Sequence, residues 1–98
     1  MKVVWSQSAI AQLQSVYDYI ARDSERYALR MVDRLTKKSE RLAGQPQSGH
    51  IVPEYDELAI REVLEGSYRI IYESTDESVT ILAIIHGARR LPDIADRL

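Results

Sequence analysis

The hydrophobic period of the chain changes once, and the change falls at a stretch crowded with turn-forming residues. Up to Gly44 the apolar side chains recur at spacings of three and four; beyond Pro53 they largely alternate. A helical period does not suit a strand, nor an alternating period a helix, so the first half must be helical and the second stranded. Gly44, Pro46, Ser48, Gly49 and Pro53 lie between the halves, and 44–53 reads as a connection with no element of its own.

Lys2 to Trp5 is a short β-branched and aromatic run that reads as a first strand. Ser6 or Ser8 can then cap a helix in which Ala9, Leu13, Val16 (or Tyr17) and Ile20 stack on one face. Asp23 and Ser24 interrupt that pattern and offer a second cap. Ala28, Met31 (or Val32), Leu35 and Leu42 carry the next helix through Arg41.

Three strands follow: Glu57 to Leu64, Tyr68 to Tyr72, and Val79 to His86. They are joined at Glu65-Gly66-Ser67 and at 74–78. The residues 93–98 suggest a final helical turn. The expected order is β-α-α-β-β-β in one domain over 1–98, an α+β arrangement with the helical hairpin packed on one face of a small antiparallel sheet. The other face should then be open, and function should lie there or on the helices.

With no cysteine, disulfides, thiolate metal sites and cysteine nucleophiles are all excluded. His50 and His86 are the only histidines, and no carboxylate stands at a ligand spacing from either, so neither a metal nor a cofactor is expected. The first residues carry no signal-peptide pattern, and the longest nearly apolar run, Val79 to Ile85, is far too short for a membrane-spanning helix. A cytoplasmic protein is expected.

The net charge is −2, but it is unevenly spread. The helical half has eight Lys or Arg against five acids, and the residues from Gln45 onward have five Arg against ten acids. Affinity gained by neutralising many phosphates would call for a basic surplus, which the chain lacks overall.

Within this frame a few residues could carry chemistry. Arg61 shares a strand face with Ala59 and Val63, and Arg69 with Ile71 and Glu73. If the hairpin keeps those faces together, two guanidiniums flank one anion site, because the guanidinium fork holds phosphate or carboxylate bidentately. Leu58, Ile60 and Leu64 with Tyr68, Ile70 and Tyr72 would then face the core. The plainer alternative is a sheet-surface ion pair of Arg69 with Glu73 or Glu62. His86 ends the last strand and, beside Arg69, could act as general acid or base, although a lone strand-end histidine is more often structural. Arg22, Arg26, Arg30, Arg34, Lys37 and Arg41 recur every three or four residues. They form either a basic interaction ridge or simply the solvated side of the helix pair.

Several stretches, taken in order, resemble the RelE/ParE superfamily of toxins over nearly the whole chain. They are Trp5 with Ser6 and Ala9; Leu13 and Tyr17-Asp18-Tyr19-Ile20; Leu42 with Pro46 and Gly49; Val52-Pro53-Glu54; Ile60-Arg61-Glu62-Val63; Tyr68-Arg69-Ile70-Ile71-Tyr72; and His86-Gly87-Ala88-Arg89-Arg90. The resemblance implies the same β-α-α-β-β-β fold. It also implies a type II toxin with a cognate antitoxin, the two forming a hetero-oligomer in which a disordered antitoxin segment folds over the helix pair and the open sheet face.

The superfamily divides by mechanism. RelE-like members are ribosome-dependent mRNA endonucleases, for which Arg61, Arg69 and His86 would be the catalytic residues here. ParE-like members poison DNA gyrase by protein contact, and Arg61, Arg69, His86, Arg89 and Arg90 would then contact the target or the antitoxin. Gly87 stands where some nucleolytic relatives have an aromatic, Gln45-Pro46-Gln47 lacks a carboxylate that some place there, and no lysine follows Lys38. These departures favour the non-enzymatic, ParE-like branch.

Overall fold

In the computed structural model, which describes residues 1–55 and 59–87, the elements run β1 (Lys2–Trp5), α1 (Gln7–Ala21), α2 (Glu25–Arg41), β2 (His50–Ile51), β3 (Ile60–Glu65), β4 (Tyr68–Ser74) and β5 (Ser78–His86). The residues 56–58, which include the expected start of the strand Glu57 to Leu64, and the expected turn at 93–98 lie outside the described residues.

Both helix starts are fixed by serine hydroxyls. Ser6 caps α1 by accepting from the Ala9 amide, and Ser24 caps α2 by accepting from that of Tyr27. Ser6 is also buried and donates to the Leu82 carbonyl at 3.1 Å, so one side chain starts a helix and fastens it to β5. Gln12, roughly one and a half turns into α1, accepts from the Ile84 amide at 2.8 Å. The two helices lie on one face of the sheet, as the sequence suggests. Among the described residues no helix is long and apolar enough to cross a membrane.

The five strands run in the order β1-β5-β4-β3-β2, and β3, β4 and β5 form the expected antiparallel meander. Two features extend that expectation. The first strand pairs in parallel with the last, Lys2 opposite Ser78 and Trp5 opposite Ile81, which makes the sheet mixed. The stretch read as a bare connection also contains a strand, because His50 and Ile51 pair with Glu62 and Arg61 at the sheet edge. A bulge in β5 shifts its register against β4 between Ile71 and Tyr72, so Ile71 lies opposite Ala83 but Tyr72 opposite Ile81.

The sheet is buried on both sides. Between it and the helices lie Ala9, Val16, Leu35, Leu42, Tyr68, Ile70, Tyr72, Val79, Ile81 and Ile84, with Val3, Trp5, Leu13, Ile20, Met31 and Val63 packed against them. A second cluster, Val52, Ile60, Ile71, Leu82, Ala83 and Ile85, occupies the opposite face, and Tyr55 packs on it. Val52, Ile60, Ile71 and Ala83 are fully buried, so the far face is not the open surface that the helix pattern alone implied.

Candidate functional site

The β3–β4 turn decides where the candidate arginines point. Glu65 lies opposite Tyr68, leaving a two-residue turn of Gly66 and Ser67 with Gly66 at φ 60°. Residues paired across such a turn have an odd number in one strand and an even number in the other. Arg61 therefore shares a face with Tyr72, Val63 and Ile70, towards the helices, whereas Arg69 shares a face with Leu64, Glu62 and Ile71 on the far side. The expected same-side pair of guanidiniums does not exist. Ile60, grouped in the sequence reading with Tyr68, Ile70 and Tyr72, belongs instead to the far-side cluster.

Arg69 is enclosed. Its Nε and Nη2 donate to the two carboxylate oxygens of Glu62 at 2.6 and 3.0 Å, and Nη1 reaches Glu54 at 3.5 Å. Only 12% of the Arg69 side chain and 15% of that of Glu62 are exposed. The bond to Glu62 is the main influence holding the guanidinium above its ordinary pKa, more than offsetting partial burial. One cation facing two carboxylates has no net attraction for phosphate, and a phosphate would first have to displace Glu62. Of the two partners suggested for a sheet-surface ion pair, Glu62 is the one used.

Arg61 is committed elsewhere. Its Nη1 donates to the Gly49 carbonyl at 2.9 Å, while its Nε is buried without a hydrogen-bond partner. The same turn is gripped by Tyr72, whose hydroxyl accepts from the Gly49 amide at 3.0 Å and donates to the Pro46 carbonyl at 2.8 Å. Burial pushes the Tyr72 phenol above its ordinary pKa of 10.0, partly offset by the Gly49 bond and by the charge of Arg61. Gly49 allows this approach because a Cβ there would lie 2.5 Å from the Glu62 carbonyl oxygen and 2.6 Å from the Tyr72 hydroxyl. In the sequence Gly49 and Pro46 register as turn formers and, with Tyr72, among the stretches of the family resemblance; nothing there marks Tyr72 as the residue that holds them.

His86 is exposed at the end of β5, where its ring meets the edge of Tyr68 with centroids 5.6 Å apart at 85°. Lying opposite Tyr68, it shares the helix-side face, away from Arg69 and at the far end of the strands from Arg61. Arg61, Arg69 and His86 therefore do not converge on one substrate position. Arg89 and Arg90 lie outside the described residues.

Arg22, Arg26, Arg30, Arg34, Lys37 and Arg41 are all exposed, and several are engaged. Arg34 binds Glu65 on the β3–β4 turn at 2.6 and 3.0 Å, Lys37 meets Asp33 at 3.1 Å, and Arg22 and Arg30 lie over the rings of Tyr19 and Tyr27. Among the described residues no cluster of three or more His, Asp or Glu could hold a metal ion.

Comparison with known proteins places this geometry. Residues 3–91 match the family model described as the ParE toxin of the type II toxin–antitoxin system, parDE. The chain is 36% identical over 89 residues to a protein named Toxin RelE2 from Caulobacter vibrioides, covering 90% of this chain and 97% of that one. A solved structure of the chromosomal ParDE TA system from P. aeruginosa has the same fold, with a TM-score of 0.73 at 22% identity, covering 88% of this chain and 95% of the other. Two helices on a five-stranded mixed sheet, with a family match over most of the sequence, identify the chain as a member of the ParE toxin family of type II toxin–antitoxin systems, within the RelE/ParE superfamily.

Proposed function

We propose that this toxin acts by binding DNA gyrase and not by cutting RNA, and that a cognate antitoxin, the partner its family implies, neutralises it. The observation that carries the reading is the state of Arg69: mostly covered on the far face, its fork closed by Glu62 and its remaining nitrogen near Glu54. An endonuclease would need Arg61 and Arg69 on one phosphate with His86 placed to move a proton. Here Arg61 and Arg69 hold internal partners on opposite faces, and His86 lies at the other end of the strands from Arg61.

The contact surface for the target then starts at His86 and continues through Arg89 and Arg90. Arg61 and Arg69 support the sheet that carries it. The deciding experiment is supercoiling by purified gyrase with increasing toxin: inhibition that added antitoxin reverses is expected. Unaffected supercoiling at every ratio, from a folded toxin that still binds its antitoxin, would overturn the proposal. The endonuclease alternative is checked in parallel by toeprinting translating ribosomes, where no cleavage at the ribosomal A site is expected.

A further inference from the structure

We propose that the outer face of α2 is a contact surface for the phosphate backbone of duplex DNA, with Arg26, Arg30, Arg34, Lys37 and Arg41 as its phosphate ligands. Its role at gyrase, an enzyme of duplex DNA, rests on the proposal above; its binding to DNA does not.

The surface is built by the period of the helix. With about 3.6 residues per turn, these five side chains fall within one sector of about 80°, and no other residue of α2 falls there. All five are exposed, and the sector lies opposite the buried Ala28, Leu35 and Ser39. Glu25, Asp33 and Glu40, the acids of α2, all lie on one flank of it. The row runs from the first turn of the helix to the last, about 22 Å at a rise of about 1.5 Å per residue.

Folding does not account for such a row. Cations four positions apart on a helix repel, as Arg26, Arg30 and Arg34 do here, and Lys37 with Arg41. Arg26 also stands in the first turn, at the positive end of the helix dipole, where an acid is favoured. Internal partners take up only part of the charge. Arg34 meets Glu65 and Lys37 meets Asp33, but both cations stay largely exposed, at 46% and 65% of their side chains. Arg30 lies over the Tyr27 ring, which neutralises nothing, and Arg26 and Arg41 have no carboxylate partner among the described residues.

The composition of the row selects its partner. A protein interface has an apolar centre from which charge is depleted, and no apolar side chain lies within the sector. Single-stranded nucleic acid calls for aromatic rings between the cations, and Tyr27, at the margin, is already covered by Arg30. Cations alone suit the backbone of a duplex, where one strand presents a phosphate about every 3.4 Å of axis and each cation can reach its own. The net charge of −2 does not oppose this, because charges more than about 10 Å away are largely screened at about 0.1 M salt.

The test titrates full-length toxin against a fluorescent mixed-sequence DNA duplex at increasing salt. Binding by the parent should weaken about a hundredfold between about 50 and 200 mM salt, the dependence expected for roughly four phosphates. Arg26→Gln and Arg41→Gln should each weaken binding several-fold and lower the salt slope by about one. The two combined with Arg30→Gln should abolish it while the unfolding midpoint stays near that of the parent. Lys2→Gln, which removes the same charge from exposed Lys2 of β1, should change affinity less than twofold. No duplex binding by the folded parent at low salt overturns the proposal, as does a triple variant that binds like the parent. Tighter binding to an RNA duplex of equal length also overturns it, and so does a triple variant that keeps DNA but loses the antitoxin. In the supercoiling assay the triple variant should need several-fold more protein than the parent, and equal inhibition would remove the role at gyrase. If the row binds DNA as described while the parent leaves gyrase untouched, the DNA surface stands and the gyrase proposal falls.

Discussion

Arg61 and Arg69 stand on opposite faces of the sheet, three positions apart along the β3–β4 ladder, Arg61 opposite Tyr72 beneath the helices and Arg69 opposite Leu64 on the other side. Their separation follows from a two-residue turn, and it assigns them different work: Arg61 braces the Gly49 turn, and Arg69 closes a carboxylate pair with Glu62.

Removing Arg69 should therefore act through stability. Arg69→Ala leaves the mostly buried Glu62 carboxylate without its partner, at a cost of about 3 kcal/mol. Replacing both members, Arg69→Met with Glu62→Leu, should cost far less, because no charge is stranded. Urea unfolding of the two single variants and the double variant checks this; equal losses for Arg69→Ala and the double variant would contradict it.

Tyr72→Phe deprives the Gly49 amide and the Pro46 carbonyl of their partner and should cost about 1–2 kcal/mol. The same phenol sets an alkaline limit. Its pKa is raised in the folded protein, so above pH 10 the unfolded chain loses this proton more readily than the folded one, and stability falls as pH rises. Below that range the contribution is constant. Denaturant unfolding across the alkaline range should show a shallower decline for Tyr72→Phe than for the parent.

Gly49→Ala should be the more damaging change, since its Cβ meets backbone at 2.5 Å as well as the Tyr72 ring. Combining it with Tyr72→Phe removes the clash with the hydroxyl at 2.6 Å but not those with the Glu62 carbonyl or the ring carbon at 2.9 Å. The double variant should be more stable than the sum of the single losses implies, and a double-mutant cycle measures the difference.

Ser6→Ala removes an N-cap and the donor to Leu82 together, both in a buried setting, and should cost about 2 kcal/mol. Gln12→Leu leaves the Ile84 amide unpaired and should cost about 1 kcal/mol. Thermal unfolding of both variants, with Ser8→Ala on the exposed first turn as a neutral control, tests the ranking.

The helices were legible because serine caps and a single apolar stripe specify them almost alone. The parity of the hairpin was not. Tyr68-Arg69-Ile70-Ile71-Tyr72 places adjacent isoleucines on opposite faces, and because both faces are buried, apolar alternation cannot say which one meets the helices. The bulge is hidden for the same reason, since Ile81-Leu82-Ala83-Ile84-Ile85 is apolar throughout. The strand His50–Ile51 is too short to show a period. Glu62, which closes the Arg69 fork, is one of two partners the sequence suggests; the added approach of Glu54, distant in sequence, comes only when the chain folds over the second face.

The parallel pairing of β1 with β5 has a consequence for synthesis. β1 finds its neighbour in Ser78 to Ile81, the first residues of β5. A nascent chain halted anywhere before those residues has helices but no closed sheet, because the loop to be joined spans most of the molecule. Assembly of the sheet must wait until the ribosome has delivered β5, so a translation product truncated before Ser78 should not reach the native fold.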